Sequence, residues 1–246
     1  MQLLSLTDHD TVAGCAAAAA ACDAHGIRFV PGIELTAEWR QREIHIVGLG
    51  VRTDAPALQQ QITQLAELRT TRIREIGARL DRHGLNGTAL AERVLSQSTT
   101  PTRMHIARLL VSDGITTDTE ESFTRFLARG QPGYAPTTWP EVPATIGCIT
   151  AAGGIAVLAH PHRYKLSNGA LRELCAQFKA AGGGGIEVSL SGMSPTDSER
   201  AASLARRFDL AGSLGSDFHE PGLPWRPLGR FAKLPDGVVP ITQRMA

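Results

Sequence analysis

An α/β scaffold closed around a parallel sheet or barrel is what this chain predicts, on three observations. After residue 139, short apolar runs alternate with helix-length segments in a βαβα rhythm. Polar islands that a packed core would not select recur along the chain: Thr7-Asp8-His9-Asp10, Gly32-Ile33-Glu34, Ile44-His45-Ile46-Val47-Gly48, Ala159-His160-Pro161, Glu187 and Gly215-Ser216-Asp217-Phe218-His219, most of them ending a strand-like run. The 246 residues, 42% hydrophobic and 20% charged, suffice to bury a large core in one domain, or in one domain plus an insertion. His, Asp and Glu delivered repeatedly to strand ends are what a metal site on an α/β scaffold requires, so the pattern predicts a metallohydrolase.

Taken in order, Leu3 to Leu6 reads as a buried strand. The Ala-rich stretch from about Asp10 to His25 reads as a helix capped by Asp10 or Thr11. Residues 28–39 carry a second strand expected to end near Pro31-Gly32, and 43–49 a third with Ile44, Ile46 and Leu49. From about 55 to 128 the periodicity is helical and arginine-rich, which predicts a helical insertion with Arg69, Arg72, Arg74, Arg79 and Arg82 on a solvated surface. Within it, Thr100-Pro101 has the form of a helix start, running to about Ser112. Beyond Trp139 the order is helix to Ala152, strand 155–159, helix 170–181, strand 185–190, helix 195–208 and strand 211–215. Gly153-Gly154 and the run Gly182 to Gly185 fall between helix and strand, where left-handed caps are expected.

Composition excludes several classes. A formal charge of +1 and a pI near 7.8 argue against a broad basic nucleic-acid coat, so any nucleotide is held by a site. No apolar run approaches the roughly 18 residues of a membrane span, and the Ala16 to Ala21 run lacks the basic flank of a signal peptide. Cys15, Cys22, Cys148 and Cys175 show no close ligand spacing and read as buried thiols of a reducing cytoplasm.

The islands differ in how much a structural role explains. A helix start explains Asp10 but not His9. His45 follows Glu34 by about ten residues on the next strand, which favours a shared ion. His160 precedes Pro161, which biases it to extended geometry at a strand end. Asp217 and His219, two apart, point to the same side of an extended chain. Glu187 suits a solvated strand face and a substrate contact equally and is left outside the set, while His25 and His83 sit at helix ends before glycines. His105 and Arg108 share a helix face at i, i+3, and Arg103 lies in a first turn whose backbone N–H groups favour anions.

The ordered motifs TDHDT, PGIE, IHIVG, AHP and GSDFH resemble the polymerase and histidinol phosphatase (PHP) family of metal-dependent phosphoesterases. Thr102-Arg103, His105-Ile106-Ala107-Arg108, Phe126-Leu127-Ala128-Arg129-Gly130, Gly133-Tyr134 and His160-Pro161-His162-Arg163-Tyr164 resemble its bacterial subgroup acting on 3′,5′-nucleoside bisphosphates and the 5′ ends of short RNAs. The resemblance implies an α/β fold, a distorted seven-stranded (β/α) barrel, with 1–54 and 131–246 forming the catalytic domain and 55–130 a helical insertion that caps substrate. It implies two or three divalent ions, Mn with Fe or Zn as alternatives, on His9, Glu34, His45, His160, Asp217 and His219, with Glu34 bridging. By the same resemblance Asp8 and His105 are catalytic candidates, Asp8 orienting a ligand, and Arg103, Arg108 and Arg163 contact substrate phosphate. The partner is a nucleotide or short RNA, not a membrane. The family opens with a strand carrying an HxH pair and then an Asp, whereas here Met1 stands a few residues before TDHDT. The chain is therefore expected to lack that strand, and a catalytically impaired nucleotide-binding remnant is the alternative reading.

Overall fold

The apolar runs pair into one sheet. In the computed structural model, which describes residues 1–219 and 227–245, it contains β1 (Leu3–Leu6), β2 (Arg28–Trp39), β3 (Arg42–Leu49), β4 (Ile155–Leu158), β5 (Gly185–Leu190) and β6 (Ala211–Gly215), hydrogen-bonded in that order. The described residues hold six strands, and a seventh is not among them. The sheet is also mixed, not parallel: β1 runs parallel to β2 and β4 to β5 to β6, but β3 is antiparallel to both neighbours. The reason is the connection. Arg40 and Gln41, with φ of 50° and 59°, form a two-residue turn whose twist matches its strands, and a link that short allows only an antiparallel return.

β2 does not stop at Pro31-Gly32. Leu6 opposite Pro31 is the last β1–β2 pair and Gly32 opposite Leu49 the first β2–β3 pair, so the proline sits where the strand changes partner and its missing N–H costs no rung. Gly32 is needed at this crossing, because a Cβ there would lie 2.9 Å from the Leu6 carbonyl oxygen and 2.5 Å from Ser5 Oγ. The first helix, α1 (Cys15–Ala24), starts later than Asp10. Instead of capping it, Asp10 takes a φ of 52° and turns its carboxylate inward, accepting from Thr36 N at 2.7 Å and Thr36 Oγ1 at 2.9 Å.

The chain divides into two compact units, residues 1–61 with 140–246, and residues 62–139. The break falls inside α2 (Pro56–Asp81), which opens in the first unit and continues into the second. The first unit holds the sheet, α1, α6 (Val142–Ala151), α7 (Asn168–Ala180) and α8 (Pro195–Arg207). Ser167 and Ser194 cap α7 and α8 through Ala170 N and Asp197 N. Gly153 and Gly182, with φ of 81° and 98°, follow α6 and α7 as left-handed residues before β4 and β5. Val30, Val47, Leu49, Val157, Ala159, Ala211 and Ile241 form a buried cluster across the sheet.

The helical unit contains the rest of α2, with α3 (Gly87–Gln97), α4 (Arg103–Ser112) and α5 (Thr119–Ser122), the last running into a π turn at Phe123–Leu127. Ile73, Ile76 and Leu80, Leu90 and Val94, Ile106 and Leu110 recur at three- and four-residue spacing and pack together. Arg69 and Arg72 are not solvated: both are buried, their guanidinium carbons 5.4 and 5.3 Å from the Trp139 ring, because a planar cation can stack on an indole and bury its stem. Arg74 and Arg79 do lie outside, paired with Glu92 and Glu75. The cap of α4 is Thr102, not Thr100, with His105 completing a capping box. The four cysteines are free and buried, and no helix among the described residues is long and apolar enough to cross a membrane.

Candidate metal centre

The ladder of β1 resumes past its end. Glu34 N–H donates to Asp8 O at 3.0 Å and Asp10 N–H to Glu34 O at 2.9 Å, which sets His9 beside Glu34 in an isolated parallel bridge. His45 lies opposite Thr36 on β3, so its side chain shares a sheet face with Glu34, two residues away on β2. His160 follows β4 directly, and Asp217 and His219 follow β6.

These elements converge on one carboxylate. Glu34 Oε1 lies 2.9 Å from His45 Nδ1 and 3.0 Å from His160 Nε2, while Glu34 Oε2 is 3.8 Å from His9 Nδ1. His45 Nδ1 and His160 Nε2 are 3.2 Å apart. The His9 ring stands 4.8 Å from His45 and 6.0 Å from His219, centroid to centroid. His219 Nδ1 is in turn 3.5 Å from Asp217 Oδ1, and Arg163 makes an ion pair with Asp217 Oδ2. The structure thus brings His9, Glu34, His45 and His160 into one cluster, with His219 at its side and Asp217 linked through His219.

The remaining expected site residues are Asp8, Arg103, His105 and Arg108. Asp8 is exposed, with its carboxylate against Gly14 before α1, and it meets Glu34 only through its backbone oxygen. Arg103, His105 and Arg108 belong to the helical unit. There His105 Nδ1 accepts from Thr102 N at 3.0 Å, and the Arg103 guanidinium lies 5.8 Å from the Phe123 ring. Burial, with the cations of Arg108 and Arg69 nearby, lowers the His105 pKa, so its imidazole is neutral at pH 7.

Two backbone expectations are corrected at the centre. His160 is not extended but has a φ of 27°, and Asp217 has a φ of 47°, so the simple two-residue alternation toward His219 does not apply. Both are left-handed conformations that cost a non-glycine residue about 1–3 kcal/mol and persist only where the surroundings over-determine them. For His160 those surroundings are visible: its N–H donates to Glu187 Oε2 at 2.6 Å and its carbonyl accepts from Arg163 N in a 3₁₀ turn at Pro161–Tyr164.

Electrostatics follow from the crowding. Burial alone would raise the pKa of Glu34, yet hydrogen bonds from His160 and His45 hold it well below the usual carboxylate range. Burial alone would lower His45, yet the carboxylates of Glu34 and Glu43 on its two nitrogens push it up to about 10. Burial pushes Glu187 up to about 8, against the His160 N–H bond and with Glu34 and Asp217 adding to the rise.

The donor set fits a divalent cation. One ligand atom each from His9, Glu34 and His45 can be chosen within 4.8 Å of one another, and Nδ1 of His160 is buried with no hydrogen-bond partner among the described residues. Imidazole with carboxylate is the ligand chemistry of zinc, iron or manganese rather than of an all-oxygen magnesium cage.

Two groups at the centre stand outside the set drawn from the sequence. In the sequence Glu187 suits a solvated face and a contact equally, and the β4–β5 pairing that sets Leu158 opposite Ile186 brings its carboxylate to His160. Tyr164 had one signal, its place in the His160-Pro161-His162-Arg163-Tyr164 segment; its hydroxyl accepts from His45 N at 3.0 Å and donates to Ala159 O at 2.7 Å.

A mixed α/β sheet with imidazoles and a carboxylate gathered on and just beyond neighbouring strands defines the class: hydrolases that use a cation centre on phosphoesters. Comparison with known proteins narrows it. The chain is 39% identical to the 3′,5′-nucleoside bisphosphate phosphatase of Chromobacterium violaceum, over 99% of its own length and 86% of that protein's. It is also 39% identical to the 5′-3′ exoribonuclease Rnm of Escherichia coli (strain K12), over 98% and 82%. Among solved structures, an amidohydrolase from Chromobacterium violaceum with bound sulfate and no metal superposes at a TM-score of 0.90 with 38% identity, covering 99% of this chain and 85% of that one. A metal-dependent phosphoesterase from Bifidobacterium adolescentis superposes at 0.79 with 27% identity, covering 100% and 85%. No family model matches the chain. At this identity and coverage, the chain belongs to the PHP-type metal-dependent phosphoesterases, in the group that holds these two relatives.

Proposed function

We propose that this phosphoesterase removes phosphate from 3′,5′-nucleoside bisphosphates and acts on the 5′ ends of short RNAs. Two or three divalent ions, Mn²⁺ first with Fe or Zn as alternatives, would be held by His9, Glu34, His45, His160, Asp217 and His219. The observation that carries the reading is Glu34, a buried carboxylate facing three imidazoles, from beyond β1, from within β3 and from beyond β4. The relatives' named substrates and the sulfate in the Chromobacterium violaceum structure support the substrate class.

A bound cation supplies positive charge and Lewis acidity to the oxygens of a phosphoester, whose hydrolysis is otherwise extremely slow. The chain's residues do the rest. Glu34 presents one oxygen toward His45 and His160 and the other toward His9, the arrangement of a bridging carboxylate. Asp8 orients Glu34 through its backbone oxygen. Arg163, poised on Asp217, offers a fork that suits a phosphate. In the helical unit, Arg103 and Arg108 are the proposed contacts for a further phosphate, and His105, neutral at pH 7, is the proposed exchanger of a proton or hydrogen bond at the leaving group. The buried thiols suit a reducing cytoplasm as the site of action.

The test is phosphate release from a 3′,5′-nucleoside bisphosphate in Mn²⁺. Turnover by the wild-type chain and its loss in His45→Ala is the expected result. Turnover that is indifferent to metal removal by a chelator overturns the reading.

A further inference from the structure

The hydroxyl of Tyr164 occupies a place in the sheet that a backbone bond would ordinarily fill. β3 and β4 run antiparallel with Ile46 opposite Leu158, so the next pair outward is His45 opposite Ala159. A hydrogen-bonded pair of this kind exchanges two bonds. One is present, with Ala159 N–H donating to His45 O at 3.1 Å. In place of the other, His45 N–H donates to the Tyr164 oxygen at 3.0 Å, and the Tyr164 hydroxyl donates to Ala159 O at 2.7 Å. The rung is lengthened by one oxygen atom, at the residue bearing one imidazole of the cluster and the residue just before another. The Tyr164 ring also stands edge-on to His160, 5.4 Å between centroids.

His160 is fixed from its other side by β5. The Glu187 carboxylate takes its N–H at 2.6 Å, which holds the φ of 27° in a region that an L-residue before proline otherwise avoids. We propose that Tyr164 and Glu187 are positioning residues that set the separation and aim of His45 and His160, and through them the cluster's affinity for its cation. The inference rests on the reading of this cluster as a metal centre. Tyr164 acts from the turn that follows His160, so the segment that begins with a cluster imidazole also spaces the strand carrying another.

The variants separate this role from general packing. Tyr164→Phe keeps the ring and removes only the inserted oxygen, so His45 N–H and Ala159 O either lose their partner or close on each other, and both results shift the imidazoles. Glu187→Gln retains an acceptor for His160 N–H, whereas Glu187→Ala does not. With Mn²⁺ binding to the full 246-residue chain followed by electron paramagnetic resonance of the free ion, Tyr164→Phe and Glu187→Ala are expected to weaken affinity by about 10- to 100-fold, the usual effect of losing a ligand's supporting bond. Glu187→Gln stays near wild type. Wild-type Mn²⁺ affinity in folded Tyr164→Phe overturns the role of Tyr164, and equal losses in Glu187→Gln and Glu187→Ala overturn the hydrogen-bond role of Glu187. Should Tyr164→Phe fail to fold, the two Glu187 variants decide: a loss confined to Glu187→Ala supports the proposal, and wild-type affinity in both overturns it. His45→Ala is the reference. If it too binds Mn²⁺ normally, the metal-centre reading falls; if it alone loses binding, only this inference does.

Discussion

Glu34 shows how one residue organises the centre. Its two oxygens face imidazoles that arrive from beyond β1, from β3 and from beyond β4. The carboxylates on both nitrogens of His45 outweigh the cost of burial and push its pKa up to about 10. The sign follows directly. A histidine raised from 6.5 to about 10 contributes stability that is full below pH 6.5 and is lost as the pH rises through about 10. His45 would have to give up its proton to hold a cation through the same nitrogen. We expect Mn²⁺ uptake at pH 8 to release a proton, seen as a calorimetric heat that varies with the ionisation enthalpy of the buffer; a heat identical in all buffers contradicts the assignment. His45→Ala or Asp217→Ala should abolish phosphate release, a loss beyond the 10- to 100-fold typical of a supporting residue, with the circular dichroism of the folded chain retained. Near-normal activity in a metal-replete assay removes that residue from the ligand set.

At the scale of elements, the sequence was most readable where glycines bracket an apolar run. β5 and β6 begin and end at the residues that pattern predicted. α1 starts later than its composition suggests because the partner that draws Asp10 away from capping, Thr36, lies 26 residues on and belongs to another strand. β2 runs through Pro31 because proline breaks a strand only where its N–H would be needed, and at Pro31 the strand is changing neighbours. The same logic divides the site. His9, Glu34, His45 and His160 announce themselves as polar residues in or beside strand-like runs, but the parts played by Tyr164 and Glu187 exist only once the register is known. Two predictions belong here. Asp10→Ala should lower stability by about 1.5–3 kcal/mol for each charge-assisted bond lost, and Thr36→Val by less, read from urea midpoints; a neutral Asp10→Ala contradicts the tie between α1's approach and β2. Gly87→Ala would set a Cβ 2.1 Å from Gly77 O where α2 meets α3, so overpacking should cost about 1–3 kcal/mol or more, again visible in the urea midpoint.

For the molecule as a whole, a cation that binds only the folded chain adds stability by mass action. At a free concentration 100 times Kd the gain is about 2.7 kcal/mol, which for a chain of this size raises the melting temperature by roughly 5–10 °C. Thermal denaturation with and without Mn²⁺ measures it, and His45→Ala should show no such rise. The interrupted first unit has a different effect, on the order in which the protein is made. Residues 62–139 separate β3 from its partner β4, so on the ribosome β3 ends at Leu49 and waits for Ile155 to be synthesised. At about 5–20 residues per second that is roughly 5–20 s, long enough for the helical unit to form first from its local contacts. Throughout that time Ile44, Ile46, Val47 and Leu49 stand on an unpaired strand edge, the kind that sticks to other nascent chains. The turn-linked hairpin with β2 covers one edge of β3 at once, and the other remains open until the last third of the chain emerges. Expression should therefore be most sensitive to chaperone supply in variants that slow β4, and least in those confined to residues 62–139.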